Sequence, residues 1–337
     1  MRATLKDVAK LANVSTKTVS NVINGYAYLR QETREKVERA IEQLNYRPNL
    51  TARNLRRGST GLIALALPEI RNSYFAELAQ LVVEEAQRHG LTVLIDCTGG
   101  VAEREQLVAD GFHEQVIDGL ILLPQTLRIE DLRRRHGDSP LVLLGERVAD
   151  YADCIAIDSQ AAARAATEHL VSLDRHRIGM IGGSRRDPTM IQRLRTQGYR
   201  EALEDAGLKV DPALIEAPAA YTTSEGASAM ARLLDAGRPV DAVFCHNDLL
   251  ALGAMRTLLA RGLRIPEDVA VIGIDDIEAS RYATPSLSTI APDKTYIART
   301  AVRMLVDRFN PEGDGPPRRI TVGFTLVARE STVGVRG

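Results

Sequence analysis

At Gly61 the hydrophobic pattern of this 337-residue chain changes its period, and one fold class cannot satisfy both patterns. Before that point apolar residues recur at helical spacing; after it, short apolar runs alternate with amphipathic stretches. GLIALAL reads as a buried strand, and SYFAELAQLVVEEAQRHG as a helix closed by Gly90. LTVLID, a helix around Glu103–His113, DGLILLP, PLVLLG, CIAID and a helix around Ala162–Leu173 follow. RIGMIGG, a helix around Leu194–Ala206, DAVFC, a helix over 249–261 and VAVIGIDD continue the alternation. This βαβ grammar requires parallel sheets flanked by helices, and the length favours two sheets over one. In such folds ligands bind outside the carboxyl ends of strands, so loops just after strands are the places to look.

The amino-terminal segment is of a different kind. In LKDVAKLANVSTKTVSNVIN (5–24), Thr4 can cap a first helix with Leu5, Val8, Ala9, Leu11 and Ala12 as its apolar face. Asn13 suits a sharp turn, because its short polar side chain tolerates left-handed backbone. Ser15 caps a second helix whose Val19, Val22 and Ile23 face inward, and Gly25 stops it. Thr16, Lys17, Ser20, Asn21 and Asn24 are left outward: hydrogen-bonding groups, one cation and no anion, which suits base edges and phosphates. An ordinary helical hairpin with a solvated side is the other reading of this stretch. Val37, Ala40, Ile41 and Leu44 make a third helix, ended by Tyr46-Arg47-Pro48. Asn49 can cap LTARNLRRG, closed by Gly58, which is too short to stay helical without something packed on it. The alternative for that piece is a plain linker, against which the apolar Leu55 argues.

Charge separates the same two regions. Residues 1–58 carry +7 and the remainder −8, although the whole chain is near neutral at −1. A basic head on an acidic body directs the head alone at a polyanion. No amino-terminal apolar leader and no run of roughly 18 apolar residues is present, so export and membrane spanning are not expected. Cys97, Cys154 and Cys245 are odd in number and far apart, which predicts reduced, half-buried core cysteines in a cytoplasm. The six histidines are scattered without metal-ligand spacing, so neither metal nor other cofactor is expected. Nucleophile-elbow, zinc-protease and phosphate-loop motifs are absent as well, and the chain does not read as an enzyme.

The post-strand loops hold binding chemistry. Ser73, Tyr74 and Phe75 follow the first body strand, and Arg195 stands near a helix start. Tyr221 lies in a loop, His246-Asn247-Asp248 follow DAVFC, and Asp275-Asp276 follow VAVIGI. Aromatic faces with Asn, Asp and Arg suit a polyhydroxylated or small polar ligand. With no Trp, Tyr or Phe must supply any stacking. Because Asp275 and Asp276 are adjacent, one of them at most should face a cleft.

Across nearly its whole length the chain resembles the lactose-repressor (LacI/GalR) family of bacterial transcription regulators. The resemblance is carried by TLKDVAKLANVSTKTVSNVIN, TREKV, LNYRPN and ARNLR in the head. In the body it is carried by NSYFAEL, R-x-x-G-Y at Arg195–Tyr199, Asn247-Asp248, GIDD at Gly273–Asp276 and REST at Arg329–Thr332. Departures are Asn13 for the usual turn Gly, Arg30 for a helix-capping Ser, and Gly145-Glu146 where an Asp is common.

The resemblance implies an all-α helix-turn-helix head joined to an α/β body of two doubly wound parallel-sheet subdomains of the periplasmic-binding-protein type. It places the head at 1–48, a hinge helix at 49–58 and an effector-binding and dimerisation domain at 59–337. The first subdomain would be about 59–160 plus 292–322 and the second about 161–291 plus 323–337, joined by three crossovers. It implies a homodimer on a pseudopalindromic double-stranded DNA operator, and with so few residues after Thr332 a dimer is expected and not a tetramer. Thr16, Lys17 and Asn21 would contact bases, and Ser15, Thr18, Ser20 and Asn24 phosphates. Ala52 and Leu55 would enter the minor groove, Leu55 as a wedge. Tyr74, Phe75, Arg195, Tyr221, Asn247 and Asp275 would touch a small-molecule effector, expected to be a sugar or sugar derivative. That effector would set operator affinity allosterically, in a repressor. A nucleobase-sensing corepressed regulator is the first alternative, and a transport-type solute-binding protein the second. Replacing Lys17 by Ala should relax specificity at one base position per half-site, weakening binding by about 1–3 kcal/mol at each. Equal weakening on every operator variant in a gel shift would reduce Lys17 to a phosphate contact.

Overall fold

The computed structural model describes residues 3–23, 26, 29–46, 59–111, 116–135, 139–146, 151–183, 189–237, 239–309 and 315–334. They fall into two compact units that divide between Gly61 and Leu62. Asn24, Gly25 and the hinge at 49–58, with Ala52 and Leu55, lie outside the described residues.

The first unit holds α1 (Leu5–Leu11), α2 (Thr16–Ile23) and α3 (Gln31–Gln43). Thr4 and Asp7 cap α1 reciprocally: Asp7 N donates to Thr4 Oγ1 at 3.4 Å, and Thr4 N donates to Asp7 Oδ2 at 2.8 Å. Asn13 takes φ +50°, the left-handed turn its side chain suits. Ser15 Oγ then accepts from Thr18 N at 3.1 Å and opens α2. Val8, Ala9, Ala12, Val19, Val22, Val37 and Ala40 make the core of this unit. Leu11 departs from expectation. It is 45% exposed, because α1 ends there and the next residue, Ala12, takes the inward position. The stop of α3 also comes early, at Gln43: Asn45 turns left-handed at φ +44°, and Tyr46 N donates back to Ile41 O at 2.9 Å. That turn carries Tyr46 into the core. Arg30 precedes α3 without a side-chain cap.

The second unit contains two six-stranded sheets. The first comprises β1 (Leu62–Leu67), β2 (Thr92–Cys97), β3 (Gly119–Leu122), β4 (Leu141–Leu144), β5 (Asp153–Ile157) and β11 (Arg319–Val322). Its order is β11-β5-β4-β3-β1-β2, parallel throughout. With it go α4 (Ser73–Arg88), α5 (Ala102–Ala109), α6 (Ile129–Arg133) and α12 (Lys294–Asp307). The second sheet comprises β6 (Ile178–Ile181), β7 (Ile215–Glu216), β8 (Ala242–Cys245), β9 (Ala270–Ile274), β10 (Ser288–Pro292) and β12 (Phe324–Val327). Its order is β12-β10-β9-β8-β6-β7, with only β12 antiparallel to its neighbour. Its helices are α7 (Ser159–Ser172), α8 (Met190–Asp205), α9 (Thr223–Asp235), α10 (Asp248–Ala260), α11 (Glu278–Arg281) and α13 (Glu330–Val333). The chain thus passes between sheets three times, at residues 158, 293 and 323.

Each sheet is apolar on both faces, as strands covered by helices on both sides must be. Helix α9 is not among the elements expected from the sequence, and it packs closely on α10 by glycines. A Cβ at Gly226 would lie 2.2 Å from Leu250 O, and one at Gly253 2.0 Å from Thr223 O. The REST stretch locks the second sheet: Arg329 Nη1 donates to Leu287 O at 2.8 Å and Ser331 Oγ to Val271 O at 2.6 Å. Cys154 and Cys245 are buried, but Cys97 is exposed, because β2 is the edge strand of its sheet.

One buried carboxylate ties the last crossover strand to the first sheet. Asp153 in β5 accepts from Arg308 Nη2 at 2.8 Å, Arg318 Nη2 at 2.7 Å and Arg318 N at 2.7 Å, with its side chain fully buried. Burial pushes its pKa up, but the hydrogen bonds from Arg308 and Arg318 outweigh burial and hold it down at about 2. The shift from 3.8 corresponds to roughly 2 kcal/mol of stability, present above the unfolded pKa and lost as pH falls through about 2. The stability gap between wild type and Asp153→Asn, measured by urea unfolding, should therefore shrink steadily from pH 5 toward pH 2 by about that amount.

Candidate nucleic-acid face and ligand cavity

In the head, Ser15, Thr16 and Lys17 are exposed, while Thr18, Ser20 and Asn21 are half-buried. Helix α2 carries no acidic side chain. Ser15 Oγ and Thr18 Oγ1 lie 2.9 Å apart, so these two hydroxyls share a hydrogen bond at the start of the helix. The face is short, polar and cationic, which suits an anionic backbone and the donor–acceptor pattern of base edges.

In the body, a cavity of about 410 Å³ opens between the carboxyl ends of the two sheets. Tyr74, Phe75, Arg195, Tyr221, Asn247 and Asp275 all line it. Asn72 caps α4 by accepting from Tyr74 N at 3.0 Å, which sets the two rings at the mouth of β1. Those rings meet edge to face, with centroids 5.7 Å apart and planes at 68°. Gln125 enters from the loop after β3. Glu105, buried in α5, fixes that loop by accepting from Gln125 N at 2.6 Å and Leu127 N at 2.7 Å.

The opposite wall is built on a buried carboxylate. Asp248 Oδ2 accepts from Ile277 N at 3.1 Å and Ser280 Oγ at 2.7 Å, and Oδ1 accepts from Thr289 Oγ1 at 2.7 Å. Burial raises its pKa to about 6 against the opposing effect of those hydrogen bonds. Its neighbour Asn247 caps α10 through Leu250 N at 2.9 Å. Asp248 is therefore a brace for the wall, whereas Asn247 and Asp275 face the cavity. Asp276 points elsewhere, bonded to Arg281 Nη2 at 2.6 Å and to Arg329. Ser73 and His246 do not line the cavity, although both follow strands.

His246 instead supports it. Tyr221 Oη bonds Gly182 O at 2.9 Å and His246 Nδ1 at 3.0 Å. Since the phenol donates to the carbonyl, the ring must donate from Nδ1, and burial with the nearby Arg195 keeps the imidazole neutral. Gly182 allows this approach: its φ is +135°, and a Cβ there would lie 2.2 Å from the His246 ring. His246 O in turn accepts from Arg195 Nη1, while Arg195 Nε has no partner among the described residues.

The cavity is electrically mixed. Burial drives Asp275 well above the ordinary carboxylate range, against the pull of Arg195. Glu146 is raised by burial too, though it accepts from Ser159 N at 3.2 Å at the start of α7. Glu146 stands at the departure noted in the sequence; Gln125, Gln192 and Ser159 also line the cavity, and no sequence signal singles out these three. Buried donors and acceptors arranged around a guanidinium suit a neutral ligand rich in hydroxyls or carbonyls. No cluster of three metal-ligating side chains occurs among the described residues.

A helix-turn-helix head and a two-sheet body with a ligand cavity define a DNA-binding regulator answering to a small molecule. Residues 4–49 match the bacterial regulatory proteins of the lacI family, and residues 167–332 a periplasmic binding protein-like domain. The HTH-type transcriptional repressor PurR of Haemophilus influenzae (strain PittEE) is 34% identical over 337 residues, 99% of each chain. The repressor CytR of Escherichia coli (strain K12) is 34% identical over 332 residues, 98% of this chain and 96% of its own. A transcriptional regulator CelR–cellobiose complex has 32% identity and a TM-score of 0.72, covering 98% of this chain and all of that one. The lac repressor dimer bound to operator and the anti-inducer ONPF has 27% identity and a TM-score of 0.83, covering 98% and 99%. This chain belongs to the lacI family. It is an effector-responsive, DNA-binding transcription regulator.

Removing the Tyr221 hydroxyl leaves a buried carbonyl and a buried imidazole N–H without partners. Tyr221→Phe should therefore cost about 1–3 kcal/mol of stability in urea unfolding. A change within error would mean that water replaces the phenol.

Proposed function

We propose that the protein is a homodimeric repressor whose cavity takes a sugar or sugar derivative, and that occupancy of the cavity sets operator affinity. The observation that carries this reading is the cavity itself: Tyr74 and Phe75 on one wall, Arg195, Tyr221, Asn247 and Asp275 on the other. Apolar ring faces with directed hydrogen bonds are what a pyranose ring requires. Support also comes from CelR, a relative seen with cellobiose, and from the lac repressor, seen as a dimer on its operator. The edge-to-face setting of Tyr74 and Phe75 offers no parallel slot for a flat base, which favours the sugar over a nucleobase.

On this reading the head is 1–48, the hinge 49–58, and the body has subdomains of about 59–160 plus 292–322 and 161–291 plus 323–337. Thr16, Lys17 and Asn21 read bases; Ser15, Thr18, Ser20 and Asn24 hold phosphates; Ala52 and Leu55 occupy the minor groove. The protein works in the cytoplasm without catalysis, and no described helix is long and apolar enough to cross a membrane. Ligand draws the two cavity walls together, and a coupling of roughly 1–3 kcal/mol carries that closure to the operator.

A thermal-shift screen against neutral sugars and nucleobases tests the ligand class, a sugar being expected to raise Tm and nucleobases not. Asp275→Ala and Arg195→Ala should each abolish the response of operator binding to that sugar while retaining operator binding in a gel shift. A normal sugar titration in both variants would move the effector site elsewhere.

A further inference from the structure

We infer that Glu77 and Lys294 form a strut between the two halves of the body that holds Asp275 in the cavity. Opening the cleft and withdrawing Asp275 then become one event. This deepens the reading of Asp275 as an effector contact and rests on it.

Both strut residues belong to helices of the first half: Glu77 to α4, and Lys294 to the first residue of α12, which packs on α4. Their partners lie in the second half. Lys294 Nζ donates to Asp275 O at 3.0 Å and Asp276 O at 2.9 Å, and its third donor goes to Glu77. The ammonium therefore has all three of its hydrogens placed. Glu77 Oε1 accepts from Glu278 N at 2.9 Å, at the start of α11. Three polar contacts thus cross from one half to the other on a single ion pair, and separating the halves breaks them together.

The segment gripped in this way needs holding. Asp275 and Asp276 have φ of +130° and +49°, a region that residues with a Cβ rarely adopt. The ammonium anchors both of their carbonyls just after β9. Lys294 Nζ also lies 5.9 Å from the centroid of the Tyr74 ring, which lines the cavity. The Lys294 side chain is only 11% exposed, so this pair is unlike a solvent-screened surface bridge. Both residues act on the effector through Asp275 and are positioning residues.

The test uses the ligand-free full chain. Amide exchange is followed over residues 275–282, together with the distance between spin labels at Gln87→Cys on α4 and Glu204→Cys on α8, in a Cys97→Ser background. Lys294→Met should exchange at least tenfold faster in that segment and shift the distance distribution to a more open cleft, with α10 protection unchanged. Lys294→Arg, which can still donate to the carbonyls, should restore both readouts. The exchange of charges, Glu77→Lys with Lys294→Glu, should not, because a carboxylate cannot donate to Asp275 O or Asp276 O. Should Lys294→Met not fold, Glu77→Ala is read the same way, through faster exchange at Glu278 and a longer distance. Wild-type exchange and distance in Lys294→Met, or in Glu77→Ala where it takes its place, would overturn the strut, as would full rescue by the charge exchange. No readout involves a sugar, so failure of the sugar assignment leaves this result standing.

Discussion

The Asp248 carboxylate is the interaction on which the rest of the cavity depends. Fully buried, it joins the start of α10, the loop after β9 and strand β10 through three hydrogen bonds. A charge in that position is costly unless its acceptor sites are filled, and here the filling groups come from separate parts of the chain. The result is a rigid wall from which Asn247 and Asp275 face the cavity. Burial raises the pKa of both Asp248 and Asp275, and the nearby Asp248 carboxylate raises Asp275 further. Arg195 provides the compensating charge and is itself held by a carbonyl of the same wall.

The other wall is fixed by different means. Asn72 and the buried carboxylate of Glu105, each accepting from backbone N–H groups, present Tyr74, Phe75 and Gln125 from the first sheet. The two walls belong to different sheets, and the chain passes between those sheets at only three places. A ligand that contacts both walls therefore has leverage over their separation, which is the property a regulator needs. The head supplies the complementary half of the function: a short cationic face on a small core, with its charge opposite to that of the body.

Much of this is legible in the sequence, for identifiable reasons. Strands such as GLIALAL and VAVIGI are continuous apolar runs because helices cover both faces, and the six cavity residues lie in post-strand loops (Tyr221, Asn247, Asp275) or in the first two turns of the helices that follow strands (Tyr74, Phe75, Arg195). The cap at Thr4 and the turn at Asn13 depend on local chemistry alone. Helix α9 buries Gly226, Ala229, Met230 and Leu233 at helical spacing, but two of these four are Gly and Ala, and its packing depends on Gly253 in α10. The late strands β10 to β12 are short, and pairing, not pattern, defines them. What no local reading could give are the long-range polar contacts. Asp153 meets Arg318 across 165 residues and Glu77 meets Lys294 across 217. Leu11 and Cys97 differ from expectation because exposure at a helix end or an edge strand is set by tertiary neighbours.

On the proposed reading, what fills the body cavity changes how tightly the head holds its DNA. The most direct measurement is operator Kd for the full chain by fluorescence anisotropy at fixed salt, with and without a saturating sugar already known to bind from its effect on Tm. A change in Kd of about 5–150-fold, in either direction, is expected. An identical Kd with the cavity occupied and empty would contradict it.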